Sequence, residues 1–344
     1  MILKALGKLP TAQQVAGFTQ SPQWKEGSFR NIQPTQVMRP GASYPKILRD
    51  VLSRPKSTKP SHVLPSVHVN LHGLPDATPQ IVWFGHSSYL IAHNGFRILV
   101  DPVMFGTSAP VSFIGQPFPI TAPYSADDIP PIDLLVLSHD HYDHLDFVTL
   151  TKLKDRIRRV VCPLGVSSHL VYWGFDSAII TELAWNDSLN VASHSAITAL
   201  PARHFSGRTL TRNKTQWSSY ALSLAEYKLF LGGDSGYDGQ FTVIGDNHGP
   251  FNIAILECGQ YGADWPNIHL FPEETARAAI DLRAKQLLPV HWGRYVLANH
   301  SWSEPMQRLV MAANDAPFGL VTPHIGDVVA LGATPILNHW WNTA

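Results

Sequence analysis

LLVLSHDHYDHLD, running from Leu134 to Asp146, decides how this chain is read. Within six residues it places His139, His141, Asp143 and His144 as H-x-H-x-D-H, directly after the apolar run Leu134–Leu137. A short apolar run bounded by polar residues has the pattern of a buried strand. Neither packing nor solubility calls for three imidazoles and a carboxylate in the loop that follows, whereas metal binding does. Four ligands this close cannot all converge on one centre. The cluster is therefore read as serving two ions, with further ligands to be found elsewhere in the chain.

Three later segments repeat the local form, a metal-competent residue just after a strand-like run. TALPARHFSGR places His204 after Thr198–Pro201, LFLGGDSGY places Asp234 after Phe230–Leu231, and LLPVHWG places His291 after Leu287–Val290. With the cluster they make five His and two Asp, about what two ions need if one carboxylate bridges them. Gly232-Gly233-Asp234-Ser235-Gly236 lacks the Lys-Ser/Thr ending of a phosphate loop and reads as a metal-ligand turn.

The bulk numbers narrow the function classes. The chain has 344 residues, 44% of them hydrophobic, and carries 26 basic and 26 acidic side chains. Zero net charge argues against a nucleic-acid partner held by bulk electrostatics. Cys162 and Cys258 give no disulfide framework and read as buried thiols of a reducing compartment. No stretch approaches the ~20 apolar residues of a membrane-spanning helix. Met1–Leu9 lacks the apolar core and cleavage site of a secretory signal and reads as a piece docked on the body. The expected location is cytoplasmic, with peripheral membrane contact and homo-oligomer formation left open.

Residues 1–75 are rich in Pro, Ser, Gln and Asn and read as an extended arm with short helices, packed on a catalytic body of residues 76–344. Strands are expected at Ile81–Phe84, Tyr89–Ala92, Arg97–Val100, Asp133–Ser138 and Val160–Cys162. The later set is Ala196–Pro201, Ser219–Leu224, Lys228–Leu231, Asn252–Glu257 and Gln286–Val290. Asp146–Arg159 and Pro272–Arg283 have helical spacing, the second with Pro and two Glu in its first turn. Strand runs followed by a helix, twice over, predict an α+β fold of two facing sheets with helices outside.

The ligand series resembles that of the metallo-β-lactamase superfamily, whose fold is an αββα sandwich with the metal loops along one edge. By that resemblance His139, His141 and His204 hold one ion, Asp143, His144 and His291 hold the other, and Asp234 bridges. A narrower resemblance, over about residues 80–305, is to the N-acylphosphatidylethanolamine-hydrolysing phospholipase D group. It rests on WFGHSSYLI at Trp83, LVDPVMFGTSAP from Leu99, PPIDLLVLSHDHYDHLD from Pro130, PLG at Pro163, GGDSGY at Gly232 and GPFNIAIL at Gly249. His269 with Pro272-Glu273-Glu274 and HWGRYVLAN at His291 complete it. The W-x-G-H opening is also similar to the family of ascorbate-6-phosphate lactonase. Residues 1–75 carry none of these motifs.

The implied chemistry is hydrolysis of a phosphoric diester by a metal-bridging hydroxide. Two divalent ions about 3.5–4 Å apart bring such a water to near-neutral pKa. The imidazoles suit zinc, with manganese or iron as alternatives. The implied substrate is a small-molecule or lipid ester similar to N-acylphosphatidylethanolamine. The alternatives are a lactonase opening a cyclic ester and a non-catalytic metal-binding scaffold. His141 stands where the diiron oxygen-reducing relatives have Glu, which disfavours redox chemistry.

Asp143, Asp234 and His269 are the candidate catalytic residues, His269 by its match to a pocket histidine of the phospholipase group. Asp101 and His86 are candidates for orienting the ligands from behind. Asp140 and Tyr142 alternate with the ligands and are expected to point away, as a solvated carboxylate and a packed ring. Trp217, Trp265 and Trp292 are candidates for shaping a pocket, and Arg203, Arg208, Arg212 and Arg294 for holding a phosphate. His169, His194, His248, His300 and His324 read as surface or satisfied core residues.

Overall fold

The computed structural model describes residues 2–75 and 77–342, without the side chains of Tyr44 and Leu48. The chain begins with α1 (Ile2–Ala5), α2 (Ala12–Phe18), the short hairpin β1 (Trp24–Lys25) and β2 (Ser28–Phe29), and α3 (Tyr44–Leu52). A Thr11–Gln14 capping box starts α2. Phe18, Trp24 and Phe29 then pack on Trp185, Ala202 and Trp217 of the body. Met1 lies outside the described residues. The segment after it is fixed to the body where the Trp173 indole donates to the Lys4 carbonyl at 2.7 Å and the Lys8 amide donates to His169 Nδ1 at 3.0 Å.

The body is two seven-stranded sheets. The first is built from β3 (Gln80–Trp83), β4 (Tyr89–His93), β5 (Phe96–Val100), β6 (Leu134–Val136), β7 (Val160–Pro163) and β8 (Ile180–Leu183), with α4 (Phe147–Leu153) and α5 (Ser167–Tyr172) in its later connections. The second contains β9 (Ser188–Ala192), β10 (Ser195–Leu200), β11 (Ser219–Leu224), β12 (Tyr227–Leu231), β13 (Ile253–Glu257), β14 (Gln286–Val290) and β15 (Gly319–Leu320). Helices α6 (Gln240–His248), α7 (Pro272–Asp281) and α8 (Glu304–Ala312) join its last strands. Finally β16 (Val328–Ala330) returns to the first sheet beside β3. Each sheet is antiparallel on one side and parallel on the other, β5–β8 and β12–β15 being the parallel runs.

The run Leu134–Leu137 is continuously apolar because both faces of β6 are covered. Leu134 and Val136 join the core shared with β10–β14, while Leu135 and Leu137 face a second core with Leu150 and Leu153 of α4. The helix expected over Asp146–Arg159 is shorter: α4 ends at Leu153 and a 3-10 turn, Lys154–Arg156, follows. Among the described residues no helix is long and apolar enough to cross a membrane.

Candidate metal centre

The candidate ligands all emerge where strands end along one edge of the sandwich. After β6 the chain folds into a turn in which the His144 and Leu145 amides donate to the His141 carbonyl at 3.1 and 2.8 Å. Asp146 then caps α4, accepting from the Val148 and Thr149 amides. Asp234 follows β12 through Gly233, whose φ is +60°. A Cβ there would lie 2.8 Å from the Ser138 Cβ, so glycine is required twice over. His86, Asp101 and His291 also have positive φ, at 52°, 39° and 66°. Such backbone costs energy in non-glycine residues and persists where surroundings over-determine it. Here the His291 amide donates to the His86 carbonyl and the His86 amide to the Trp292 carbonyl, each at 2.9 Å, tying the loops after β3 and β14 together.

Three groups of side chains result among the described residues. Ligand atoms of His139, His141, His204 and Asp234 all lie within 4.8 Å of one another, as do those of His86, Asp143, His144 and His291, and those of Asp234, Glu257, His269 and His291. Asp234 lies between the first two. Its Oδ2 is 3.8 Å from His139 Nε2 and 3.7 Å from His204 Nε2, while its Oδ1 is 3.1 Å from His144 Nε2 and 3.3 Å from His291 Nδ1.

The rings are held from behind. Ser138 Oγ meets His139 Nδ1 at 2.9 Å, Asp101 Oδ2 meets His144 Nδ1 at 2.8 Å, and the Ile268 carbonyl meets His204 Nδ1 at 2.8 Å. In each case the outer nitrogen is engaged and Nε2 is turned inward, the arrangement that orients an imidazole toward an ion. Asp101 also accepts from the Ser138 amide and hydroxyl. His86 Nε2 lies 2.8 Å from Asp143 Oδ2, so His86 reaches the site through that carboxylate.

Burial pushes the pKa values of His139, His204 and His291 well below the ordinary imidazole range, which leaves their rings neutral and their lone pairs available. Burial acts the same way on His144, but the Asp234, Asp143 and Asp101 carboxylates outweigh it and hold His144 well above that range. His291 Nε2 is buried without a hydrogen-bond partner. Unpaired buried polar atoms are costly unless something satisfies them. Converging lone pairs of this kind fit divalent cations.

Glu257, the last residue of β13, is a site residue that sequence reasoning missed. Its carboxylate accepts from His269 Nδ1 at 2.7 Å and from the Ser235 amide. Burial disfavours the charged ring of His269, yet the Glu257 carboxylate outweighs it and raises that pKa to about 9. Asn31 of the arm was missed too. Its side chain accepts from the His204 amide at 3.1 Å and donates to the His204 carbonyl at 2.8 Å.

Several expectations need correction. Asp140 is not solvated: it is buried and accepts from the Gly207 amide at 2.7 Å and Thr215 Oγ1 at 2.9 Å, facing His169 at 3.3 Å. Strand-like alternation does not apply in a loop that has already turned. Trp217 and Trp292 are core residues, and of the three candidate tryptophans only Trp265 lines the cavity over the site. Arg203 donates to Thr35 and to the Tyr237 carbonyl, and Arg294 to the Met104 carbonyl. Arg208 is buried against Tyr142, donating to the Asp140 and Leu145 carbonyls at 2.7 Å and to the Ala5 carbonyl. Arg212 alone of these arginines lines the cavity. Since Arg208 closes the cluster loop and the N-terminal segment at once, Arg208→Ala is expected to cost about 3 kcal/mol of stability by leaving buried carbonyls unpaired. Urea unfolding would read it, and an unchanged midpoint would contradict the assignment.

That cavity, of about 310 Å³, is bounded on one side by His141, Asp143, Asp234, His269 and His291. Its other walls are largely apolar: Phe205, Trp265, Ile268 and Leu297 from the body, and Val37, Met38, Ile47 and Val51 from the arm.

A metal-binding edge on an αββα sandwich defines the class of protein, and comparison with known proteins agrees. Residues 96–292 match the Beta-lactamase superfamily domain family. An uncharacterised protein of Mycobacterium tuberculosis is 37% identical over 94% of this chain and 88% of its own length. The N-acyl-phosphatidylethanolamine-hydrolyzing phospholipase D 1 of Caenorhabditis elegans is 32% identical over 66% of this chain and 67% of its own length. Among solved structures, the metallo hydrolase Igni18 of Ignicoccus hospitalis shares the fold with a TM-score of 0.53 at 19% identity, covering 73% of this chain and 97% of that one. The chain belongs to the metallo-β-lactamase superfamily, with that superfamily's fold, and its site is that of a metal-dependent hydrolase.

Proposed function

We propose that the protein hydrolyses a phosphoric diester in the manner of a phospholipase D, on substrates similar to N-acylphosphatidylethanolamine. The observation that carries this reading is the apolar cavity of about 310 Å³ opening directly onto His141, Asp143, Asp234, His269 and His291. An apolar group fits against its walls while the ester linkage meets the polar floor, whereas a small sugar-like lactone has no use for those walls.

In this reading His139, His141, His204 and Asp234 hold one divalent ion, and Asp143, His144 and His291 with Asp234 hold a second. The five imidazoles favour zinc. When bound, such ions supply a water of lowered pKa and stabilise charge on the reacting oxygens. Asp101 and His86 keep His144 and Asp143 in register through the contacts described above. Glu257 fixes the His269 ring by its Nδ1 at 2.7 Å, which leaves Nε2 to meet the substrate. Residues 1–75 are an arm packed on a catalytic domain of residues 76–344, and the arm completes the cavity. The phospholipase D relative of Caenorhabditis elegans supports the bond type through its name.

Assay of metal-loaded protein with bis-p-nitrophenyl phosphate and with a simple lactone tests the reading. The expected result is turnover of the diester well above the lactone. Turnover of the lactone alone would replace this reading with the lactonase one.

A further inference from the structure

Four residues that wall the cavity, Val37, Met38, Ile47 and Val51, lie outside the matched span 96–292. They belong to one stretch of the arm, and that stretch is fastened at both ends. At the first end the Arg39 amide donates to the Asp264 carbonyl at 2.9 Å, and Arg39 Nε donates to Asp264 Oδ1 at 2.8 Å. Lys46 Nζ, on α3, donates to Asp264 Oδ2 at 2.8 Å and to Asp50 at the same distance. One carboxylate thus grips two cations seven positions apart. At the far end Arg54 donates to Asn299 Oδ1 at 2.9 Å and to the Val296 and Leu297 carbonyls at 3.1 and 3.0 Å.

The anchor points are themselves part of the wall. Trp265, next to Asp264, and Leu297 both line the cavity, and the Trp265 indole donates to the Gln260 carbonyl at 3.0 Å. Between the fastenings Ile47 and Val51 face this cavity, while Lys46 and Asp50 line a separate one with Tyr261 and Asp264. Strap and body therefore enclose a space that neither encloses alone, with the candidate metal ligands at its floor.

We propose that residues 37–54 form a clasped strap that completes a subsite for a long apolar chain of the substrate, with Asp264 as the positioning residue that keeps the strap seated. The occupant is an alkyl or acyl chain linked to the phosphate at the metal centre. The inference rests on the phosphodiesterase reading above and adds what selects among diesters. Isolated surface ion pairs contribute little, but a network in which one carboxylate fixes two cations and a backbone carbonyl acts on geometry as well. Unseating the strap removes one wall, so chain-length preference suffers while the reacting groups stay in place.

The test compares methyl and dodecyl p-nitrophenyl phosphate, which share a leaving group and differ only in the chain. The wild-type protein is expected to favour the dodecyl ester. In Asp264→Asn the ratio of the two kcat/KM values is expected to fall about tenfold, the size of effect that modest losses of pocket contact produce. The change should enter through KM for the dodecyl ester, with its kcat retained. The double variant Arg39→Ala/Lys46→Ala opens the same clasp from the strap side and should give the same result, which separates it from local damage to the loop at Asp264. Calorimetric binding of dodecyl phosphate against methyl phosphate reads the subsite without turnover. Weaker dodecyl phosphate binding in both variants supports the strap even if neither ester is hydrolysed, an outcome that would count against the phosphodiesterase reading alone. Undiminished chain preference and undiminished dodecyl phosphate binding in both variants would overturn the strap.

Discussion

Asp234→Asn is expected to leave the protein folded and to abolish hydrolysis, with kcat lower by about a thousandfold or more and bound metal reduced. The reason is the place of this one carboxylate. Its oxygens face opposite groups, Oδ1 toward His144 and His291 and Oδ2 toward His139 and His204. An amide of the same shape keeps one acceptor oxygen, loses the charge, and turns N–H donors toward nitrogens that should present lone pairs. Because the site is buried, the lost charge is not replaced by solvent. His141→Ala should have the same consequence through the first group alone. Metal analysis together with turnover of bis-p-nitrophenyl phosphate reads both variants, and near-ultraviolet circular dichroism reports whether they are folded. Full activity in either one would falsify the ligand assignment.

The candidate centre was largely legible in the sequence because its candidate ligands come from loops that directly follow apolar strands. A strand fixes where the next residue stands, so His139, His204, Asp234 and His291 could each be named from local pattern. Glu257 escaped for the opposite reason. It closes the apolar run Ile253–Glu257, and its partner His269 is brought to it by the loop between β13 and α7. Nothing local distinguishes such a residue from an ordinary strand end. Asn31 escaped because its role is a contact with His204, more than a hundred positions away, made by an arm without periodicity. Asp140 was misread by extending the alternation of β6 into a loop that turns at His141. Among the elements, the short edge strands β8, β9, β15 and β16 and the helices α5, α6 and α8 left no pattern strong enough to read. The arm's part in the cavity follows from tertiary packing alone.

Removing the metal should have the second large effect, on stability as well as on activity. The protein brings together buried imidazoles and the carboxylates of Asp143 and Asp234, with ligand atoms converging and with His291 Nε2 unpartnered. Burial pushes His139, His204 and His291 well below the ordinary imidazole range, which favours the neutral rings an ion needs. An ion that binds this arrangement and not the unfolded chain stabilises the fold by mass action, about 2.7 kcal/mol per site at a free concentration roughly a hundredfold above Kd. For a chain of this size, at about 2.1 cal/mol/K of unfolding entropy per residue, each kcal/mol moves the unfolding midpoint by about 1.4 °C. Chelation is therefore expected to abolish hydrolysis and lower Tm by several degrees. Adding zinc back should restore both, and in Asp234→Asn the chelator-induced drop in Tm should shrink. A structural ion elsewhere would give the drop in Tm without that shrinkage. Activity and Tm that both survive exhaustive chelation would mean that the converging side chains serve something other than metal.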